Sequence, residues 1–215
     1  MTRLPARRRA WGEQAERGSL ARLGSWVRRT LGQSAPAPDR GLPELPAAMR
    51  RDPLAPQYLE AAGGADHRRA AAAASSAAEH ALEGRAWWAA DVWAHRALWH
   101  FERADMALAA TRMARRIGDI RVAGGDPESA RRYYAEAISE ARDIGAEREQ
   151  GLAALGMGRA ELDRGDVTTA RRLAEIAEGL LSAAGAPANE VVEARALRGE
   201  EKAVGEGAVG EGPER

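Results

Sequence analysis

The chain has 215 residues, of which 30% are charged and 45% hydrophobic, and its formal net charge is zero. It contains no cysteine, which excludes disulfides, thiolate metal sites and a cysteine nucleophile. Alanine, the strongest helix former, dominates the apolar residues, and no stretch approaches the roughly 18 apolar residues of a membrane span. We therefore expect an all-α protein with a cytoplasmic location.

A basic arm occupies residues 1–33, which carry eight arginines against Glu13 and Glu16. Apolar residues recur in this arm at helical spacing, at Leu20, Leu23, Val27 and Leu31. The pattern predicts either a short amphipathic helix that contacts an anionic membrane, nucleic acid or a protein, or a partly disordered arm.

Two further segments are predicted to lie outside the folded domain. Residues 34–63 include six prolines, each of which removes a backbone donor and fixes φ. We expect this segment to be a semi-extended linker that contributes no core residue. Residues 205–215 are rich in Gly and Glu, with too little apolar surface to offset the entropy of ordering, so a disordered acidic tail is expected.

Helix breakers recur at a nearly constant interval between these segments, at Gly64, Gly84, Ala104-Asp105, Gly125-Asp126, Gly145, Gly165-Asp166, Gly185 and Gly205. Glycine at such a turn supplies the positive φ that ends a helix. Each interval is rich in helix formers, so the pattern predicts seven helices of about 17 to 19 residues. They would be joined by short turns.

The sequence also repeats at twice that interval. A shift by two breaker intervals superimposes small residues, placing Ala114 on Ala154, Gly118 on Gly158 and Ala130 on Ala170. We expect such residues where two helices cross closely. The domain over residues 64–204 is therefore predicted to contain three helix pairs, at 65–104, 105–144 and 145–184, and a closing helix near 187–203.

The residues of one turn and helix resemble a known family. The run from Gly125 to Ala137 resembles the core pattern of tetratricopeptide repeats, which has a Gly-Asp turn, a small residue, aromatic residues and then Ala. The 40-residue length of the helix pair is similar to that of the repeats in the helical sensor domains of bacterial transcription activators. The resemblance implies a right-handed α-solenoid that binds a protein or peptide.

In that family the first helix of each pair lines the ligand groove. Carried onto this sequence, the groove positions are Glu79, Glu83, Arg112, Arg115, Asp119, Arg159, Asp163 and Arg195. Because guanidinium groups pair with carboxylates, the four arginines favour an acidic peptide ligand, although a solvated charged face explains them equally well. The Lys and Asn residues with which the family clamps a peptide terminus are not matched here.

Four tryptophans occur in the helix predicted over residues 85–103. Trp88 and Trp99 share one face of it with Val92 and His95, and this face is either a binding surface or ordinary packing. Trp93, which aligns with Tyr133, is expected to fill the interior of its hairpin.

No residue pattern of catalysis or metal binding occurs in the sequence. His95 and His100 are five residues apart and point in different directions on a helix, which does not suit two ligands of one metal. A Ser/His/Asp arrangement and a phosphate-binding Gly loop are both missing. We expect no enzyme activity, metal or cofactor. The sequence favours a protein-binding adaptor, and the alternative is a trans-acting sensor module for a transcription or signalling protein.

Overall fold

The computed structural model describes Leu42 and residues 44–199, so the predicted arm and tail lie outside the described residues. The described chain forms one short 3-10 helix and eight α-helices without a strand, which confirms the predicted all-α class. The 3-10 helix spans Met49–Arg51, and the α-helices are α1 Ala55–Gly63, α2 His67–Glu83, α3 Trp87–Arg103, α4 Ala107–Ala123, α5 Pro127–Asp143, α6 Glu147–Asp163, α7 Val167–Ala183 and α8 Ala188–Gly199.

A strict turn geometry sets the helix lengths. Helices α2 to α7 all have the same length. Three residues separate successive helices from α1 to α7, and four separate α7 from α8. One residue with positive φ recurs in each of these turns, at Ala65, Arg85, Asp105, Gly125, Gly145, Gly165 and Gly185. The predicted breaker spacing is therefore confirmed, although Gly64 and Gly84 have φ of −85° and −77° and do not supply the positive φ.

The residue after each positive φ connects two helices. In the turn between α4 and α5, the amide of Asp126 donates to the carbonyl oxygen of Arg121 at 2.8 Å, which closes α4. The Asp126 carboxylate then accepts a hydrogen bond from the amide of Ser129 and caps α5. Asp66 and Asp166 cap α2 and α7 in the same way, so three residues are enough to end one helix and begin another.

The helices pack in chain order. Each α-helix contacts the next one, and α6 also contacts α4 and α8 directly. The predicted pairs correspond to the hairpins α2–α3, α4–α5 and α6–α7, and α8 follows as the last described helix. Helices α4, α6 and α8 are thus neighbours on one side of the array. The right-handed superhelix and the family resemblance stay predictions.

Small residues allow the close approach of these helices. Ala130 and Ala170, which superimpose when the sequence is shifted by one helix pair, are fully or almost fully buried. A Cβ atom added to Gly158 would lie 2.9 Å from Leu197 of α8, closer than real Cβ atoms approach a neighbour. The expectation that small residues mark helix crossings is confirmed at these positions.

Part of the predicted linker belongs to the folded domain, so that prediction was wrong for residues 44–63. This segment forms the 3-10 helix and α1, and it buries core residues, namely Leu45, Met49, Ala55, Tyr58 and Ala61. Its prolines do not prevent this, because Pro56 lies in the first turn of α1, where a helix needs no backbone donor.

The same segment covers Trp93 of α3. Trp93 has no exposed surface, and its indole Nε1 donates to Asp52 at 3.2 Å. The ring of Tyr58 meets it edge-on at 5.2 Å between centroids. Trp93 is buried, as predicted, but part of its environment comes from the segment that was predicted to be a semi-extended linker without core residues.

Two equivalent ion pairs join successive helix pairs, and the acidic and basic residues have exchanged positions between them. Arg121 of α4 donates from Nε and Nη2 to both carboxylate oxygens of Asp91 of α3, each at 2.7 Å. A shift by one helix pair places Asp91 on Arg131 and Arg121 on Glu161, and Arg131 and Glu161 also form an ion pair, at 2.5 Å. The same bridge is therefore built twice with the charges exchanged, which disfavours a slip of the array by one repeat.

We predict that Met49→Ala lowers the free energy of unfolding by about 2 to 4 kcal/mol, because it leaves a cavity in the core cluster that the buried Met49 shares with Trp93 of α3. Urea denaturation of the full chain measures this effect. Arg51→Ala, at an exposed position of the same 3-10 helix, is the control. Equal stability of both variants would mean that the segment does not pack on the array.

We also predict that Asp91→Arg destabilises the fold by about 2 kcal/mol, because it replaces two charge-assisted hydrogen bonds with a like-charge contact. The double variant Asp91→Arg/Arg121→Asp should recover most of this loss, since the chain already uses the inverted pair one repeat later. A double variant no more stable than the single one would contradict the equivalence of the two bridges. The exchange of Glu60 and Arg69, an exposed pair, should change stability by less than about 1 kcal/mol.

Candidate binding groove

A groove of about 750 Å³ lies along helices α4, α6 and α8. This volume is within the range of sites that hold drug-sized ligands or short peptides. Charged residues dominate its walls, namely the arginines Arg112, Arg115, Arg116, Arg148 and Arg159 and the carboxylates of Asp119, Glu149, Glu190 and Glu193. A second depression of about 300 Å³ adjoins it and shares Arg112, Arg148 and Glu149.

Tyr134 of α5 contributes to the floor of the groove by passing between α4 and α6. Its ring fits there because both neighbouring helices carry glycine: an added Cβ would lie 2.7 Å from the ring at Gly118 and 2.5 Å from it at Gly156. The hydroxyl donates to Asp119 at 2.9 Å. Burial, and then the Asp119 carboxylate, raise the pKa of Tyr134 well above its usual value, so the hydroxyl keeps its proton.

Every arginine that lines the groove has a carboxylate partner. Four pairs join neighbouring helices on this side of the array, and three of them are Arg116 with Glu79 of α2, Arg112 with Glu149 of α6, and Arg148 with Glu190 of α8. Arg159 of α6 pairs with Glu193 of α8, and Arg115 pairs with Asp119 within α4 at 3.0 Å. The groove is thus charged along its length but balanced in sign.

Glu149 is the most buried of these carboxylates, with 5% of its side chain exposed. Its Oε1 accepts a hydrogen bond from Nε of Arg112 at 2.7 Å. Arg115 and Arg148 are each 3.9 Å from the carboxylate, which is an ion-pair distance without a hydrogen bond. Three arginines therefore surround one buried negative charge, and only Arg112 donates a hydrogen bond to it.

The structure brings together four of the residues that the family resemblance placed in the groove. Arg112, Arg115, Asp119 and Arg159 line it. Glu79 lies beside it as the partner of Arg116. Asp163 and Glu83 are exposed near the C-terminal ends of α6 and α2, and neither lines the groove. Arg195 points away from it and pairs with Glu178 of α7 at 3.0 Å.

The two tryptophans of the predicted aromatic surface lie in different environments. Trp88 is 59% exposed at the start of α3, whereas Trp99 near its end packs edge-on against His67 and lies under the Arg103 guanidinium at 4.2 Å. Between them along the helix, His95 is buried. The face is therefore not one continuous aromatic surface, and neither tryptophan lines the groove.

Three of the four histidines, His67, His95 and His100, make contacts between helices. His95 donates from Nδ1 to the carbonyl oxygen of Asp91 at 2.7 Å and accepts from the Tyr133 hydroxyl at Nε2, and burial lowers its pKa. His100 and His67 meet with their Nδ1 atoms 2.9 Å apart. Burial, followed by the charges of His67 and Arg103, lowers the pKa of His100 to about 4, so it is neutral at pH 7.

Several residues that line the groove were not predicted from the sequence. Arg116, Tyr134, Arg148, Glu149, Glu190 and Glu193 were not selected, because the resemblance supplied positions on single helices and not pairs between helices. A recurring separation could have revealed some of them: Glu79 and Arg116 are 37 residues apart, and so are Arg112 and Glu149. Opposite charges at a constant sequence separation close to the repeat length indicate that the two residues lie on neighbouring helices on the same side of the array.

Among the described residues, no group of three or more His, Cys, Asp or Glu side chains is arranged to hold a metal ion. No helix in the described part of the chain has the length and apolar character needed to cross a bilayer.

No protein-family model, curated protein or solved structure matches the chain. The resemblance to tetratricopeptide repeats therefore rests on the motif residues of this chain alone.

We predict that Gly156→Ala destabilises the protein by about 1 to 3 kcal/mol, because the new methyl group overlaps the Tyr134 ring, which Gly118 blocks from the other side. Gly179→Ala in the middle of α7 is the matched control, since an added Cβ meets no atom within 4 Å there. It should stabilise the protein by up to about 1 kcal/mol through helix propensity. Chemical denaturation that gives the same sign for both variants would refute the placement of Tyr134.

Proposed function

We propose that the chain is a cytoplasmic protein-interaction adaptor that holds a peptide segment of a partner protein in the groove along α4, α6 and α8. The groove itself carries this proposal. It is open, it is large enough for a short peptide, and three helices present charged side chains along it. Hydrogen-bonding groups at fixed positions on rigid helices suit recognition of a peptide, as in the tetratricopeptide repeats that the chain resembles.

Two arginines are the best candidates for partner contact. The side chains of Arg112 and Arg159 are about half exposed, and each has one carboxylate partner among the described residues. Arg115 is three-quarters buried and held by Asp119 at the groove wall, so its main contribution is to shape the site. No observation favours the alternative of a sensor with a small ligand on the tryptophan face, because Trp88 and Trp99 are separated.

The proposal predicts that capture of a partner from lysate of the native host depends on these two arginines. Full-length protein and the variant Arg112→Ala/Arg159→Ala are used as bait, and quantitative mass spectrometry compares the captured proteins. We expect a true partner to fall at least about tenfold with the variant, which corresponds to about 1.4 kcal/mol.

Arg172→Ala provides the control, since this exposed arginine of α7 lies outside the groove. It should leave the capture unchanged. Thermal melting of each bait establishes that the substitutions leave the fold intact. A set of captured proteins that is the same for all three baits would contradict a role of the groove in binding.

A further inference from the structure

The balance of charge in the groove restricts what can bind there. Five arginines line it together with four carboxylates, and a fifth carboxylate, Glu79, pairs with Arg116 from α2. The arginines were expected to favour an acidic ligand. Since each of them already has a carboxylate partner, a ligand that carries only negative charge meets as many repulsive as attractive groups.

Binding to Arg112 has a direct consequence for Glu149. Arg112 donates to Glu149 from Nε, so a ligand carboxylate that pairs bidentately through Nε and one terminal NH2 group competes with Glu149 for the guanidinium. A carboxylate that drew the guanidinium away would remove the hydrogen bond to Glu149 Oε1, while Oε2 accepts none in the described part of the chain. A buried carboxylate without a donor is strongly unfavourable.

A ligand avoids this loss if it brings a cation of its own. Its ammonium or guanidinium group would take the place of Arg112 beside Glu149, while its carboxylate takes the place of Glu149 on Arg112. The same exchange is available at the pair of Arg159 and Glu193, which is about half exposed on both sides. Each exchange breaks one charge pair and forms two, so no charge of the groove is left unpaired.

We propose that the groove binds an extended peptide segment in which acidic and basic side chains alternate along the face that meets the groove, and that it discriminates against purely acidic segments. This inference rests on the proposed function. The groove residues of α4 run from Arg112 to Ala123, about 16 Å along the helix axis. Five residues of extended chain cover that length, so the segment is a short one.

Three dye-labelled hexapeptides with blocked termini test the inference: all Glu, all Lys, and an alternating peptide, Glu-Lys-Lys-Glu-Glu-Lys, in which acidic and basic side chains alternate along each face of the extended chain. Fluorescence anisotropy at physiological salt measures their binding to the full chain and to Glu149→Gln. The alternating peptide should bind the parent most tightly. Glu149→Gln keeps an acceptor oxygen but removes the negative charge that pairs with Arg112, so the all-Glu peptide should bind about tenfold tighter and the alternating peptide about tenfold weaker.

The difference in peptide affinity between the parent and the variant reports on the groove alone, because both proteins share all other charged parts of the chain. Arg172→Gln is the matched control and should alter none of the three affinities. If thermal melting shows that Glu149→Gln is unfolded, Glu193→Gln replaces it, because it removes the negative charge that pairs with Arg159 in the same way and should produce the same opposite shifts.

Two outcomes would overturn the inference. One is tighter binding of the all-Glu peptide than of the alternating peptide to the parent, which would make the groove a simple anion site. The other is the same set of affinities for the parent and a folded variant, including no binding of any peptide. Neither outcome decides the proposed function, which depends on whether partner capture requires Arg112 and Arg159.

Discussion

The spacing of the turns is the constraint on which the rest of the structure depends. A residue with positive φ at the same place in every turn gives six successive helices one common length, so equivalent positions on α4 and α6 come to the same height in the array. Glycine takes this conformation in the last four of the seven turns, whereas Ala65, Arg85 and Asp105 accept it at a steric cost of roughly 1 kcal/mol each. The geometry is thus held even where the local residue disfavours it, because the packing of long helices outweighs that cost.

Close approach between helices is the second requirement, and it explains a core built largely of alanine. Short side chains let the backbones come near, which leaves little room for a large residue except where glycine provides it. Tyr134 occupies such a place: Gly118 and Gly156 allow its ring to pass between α4 and α6, and its hydroxyl reaches Asp119. The residues that permit packing therefore also place a polar group in the groove, so the stability of the array and the shape of the groove depend on the same residues.

The repeat could be predicted from the sequence because helix length and turn position are encoded locally, by breakers at a fixed spacing. The structure of the N-terminal segment could not be predicted, since its prolines are compatible with both a linker and the first turn of a helix. The choice between the two depends on contacts with Trp93, which lies 41 residues from Asp52 in the sequence. The groove was predicted in part. Arg112, Arg115, Asp119 and Arg159 follow from repeat position, whereas Glu149 and Tyr134 depend on which side chains meet across neighbouring helices, and a single helix does not specify this.

Charge pairs between helices have two effects that oppose each other. They hold neighbouring helices in register, as the exchanged bridges Asp91–Arg121 and Arg131–Glu161 illustrate. They also reduce the gain from binding, because a ligand must replace interactions that the free protein already makes. Affinity then depends on how well the ligand reproduces both members of each pair and much less on its net charge. Salt screens the internal pairs and the ligand pairs to a similar degree, so binding in such a groove should vary little with ionic strength.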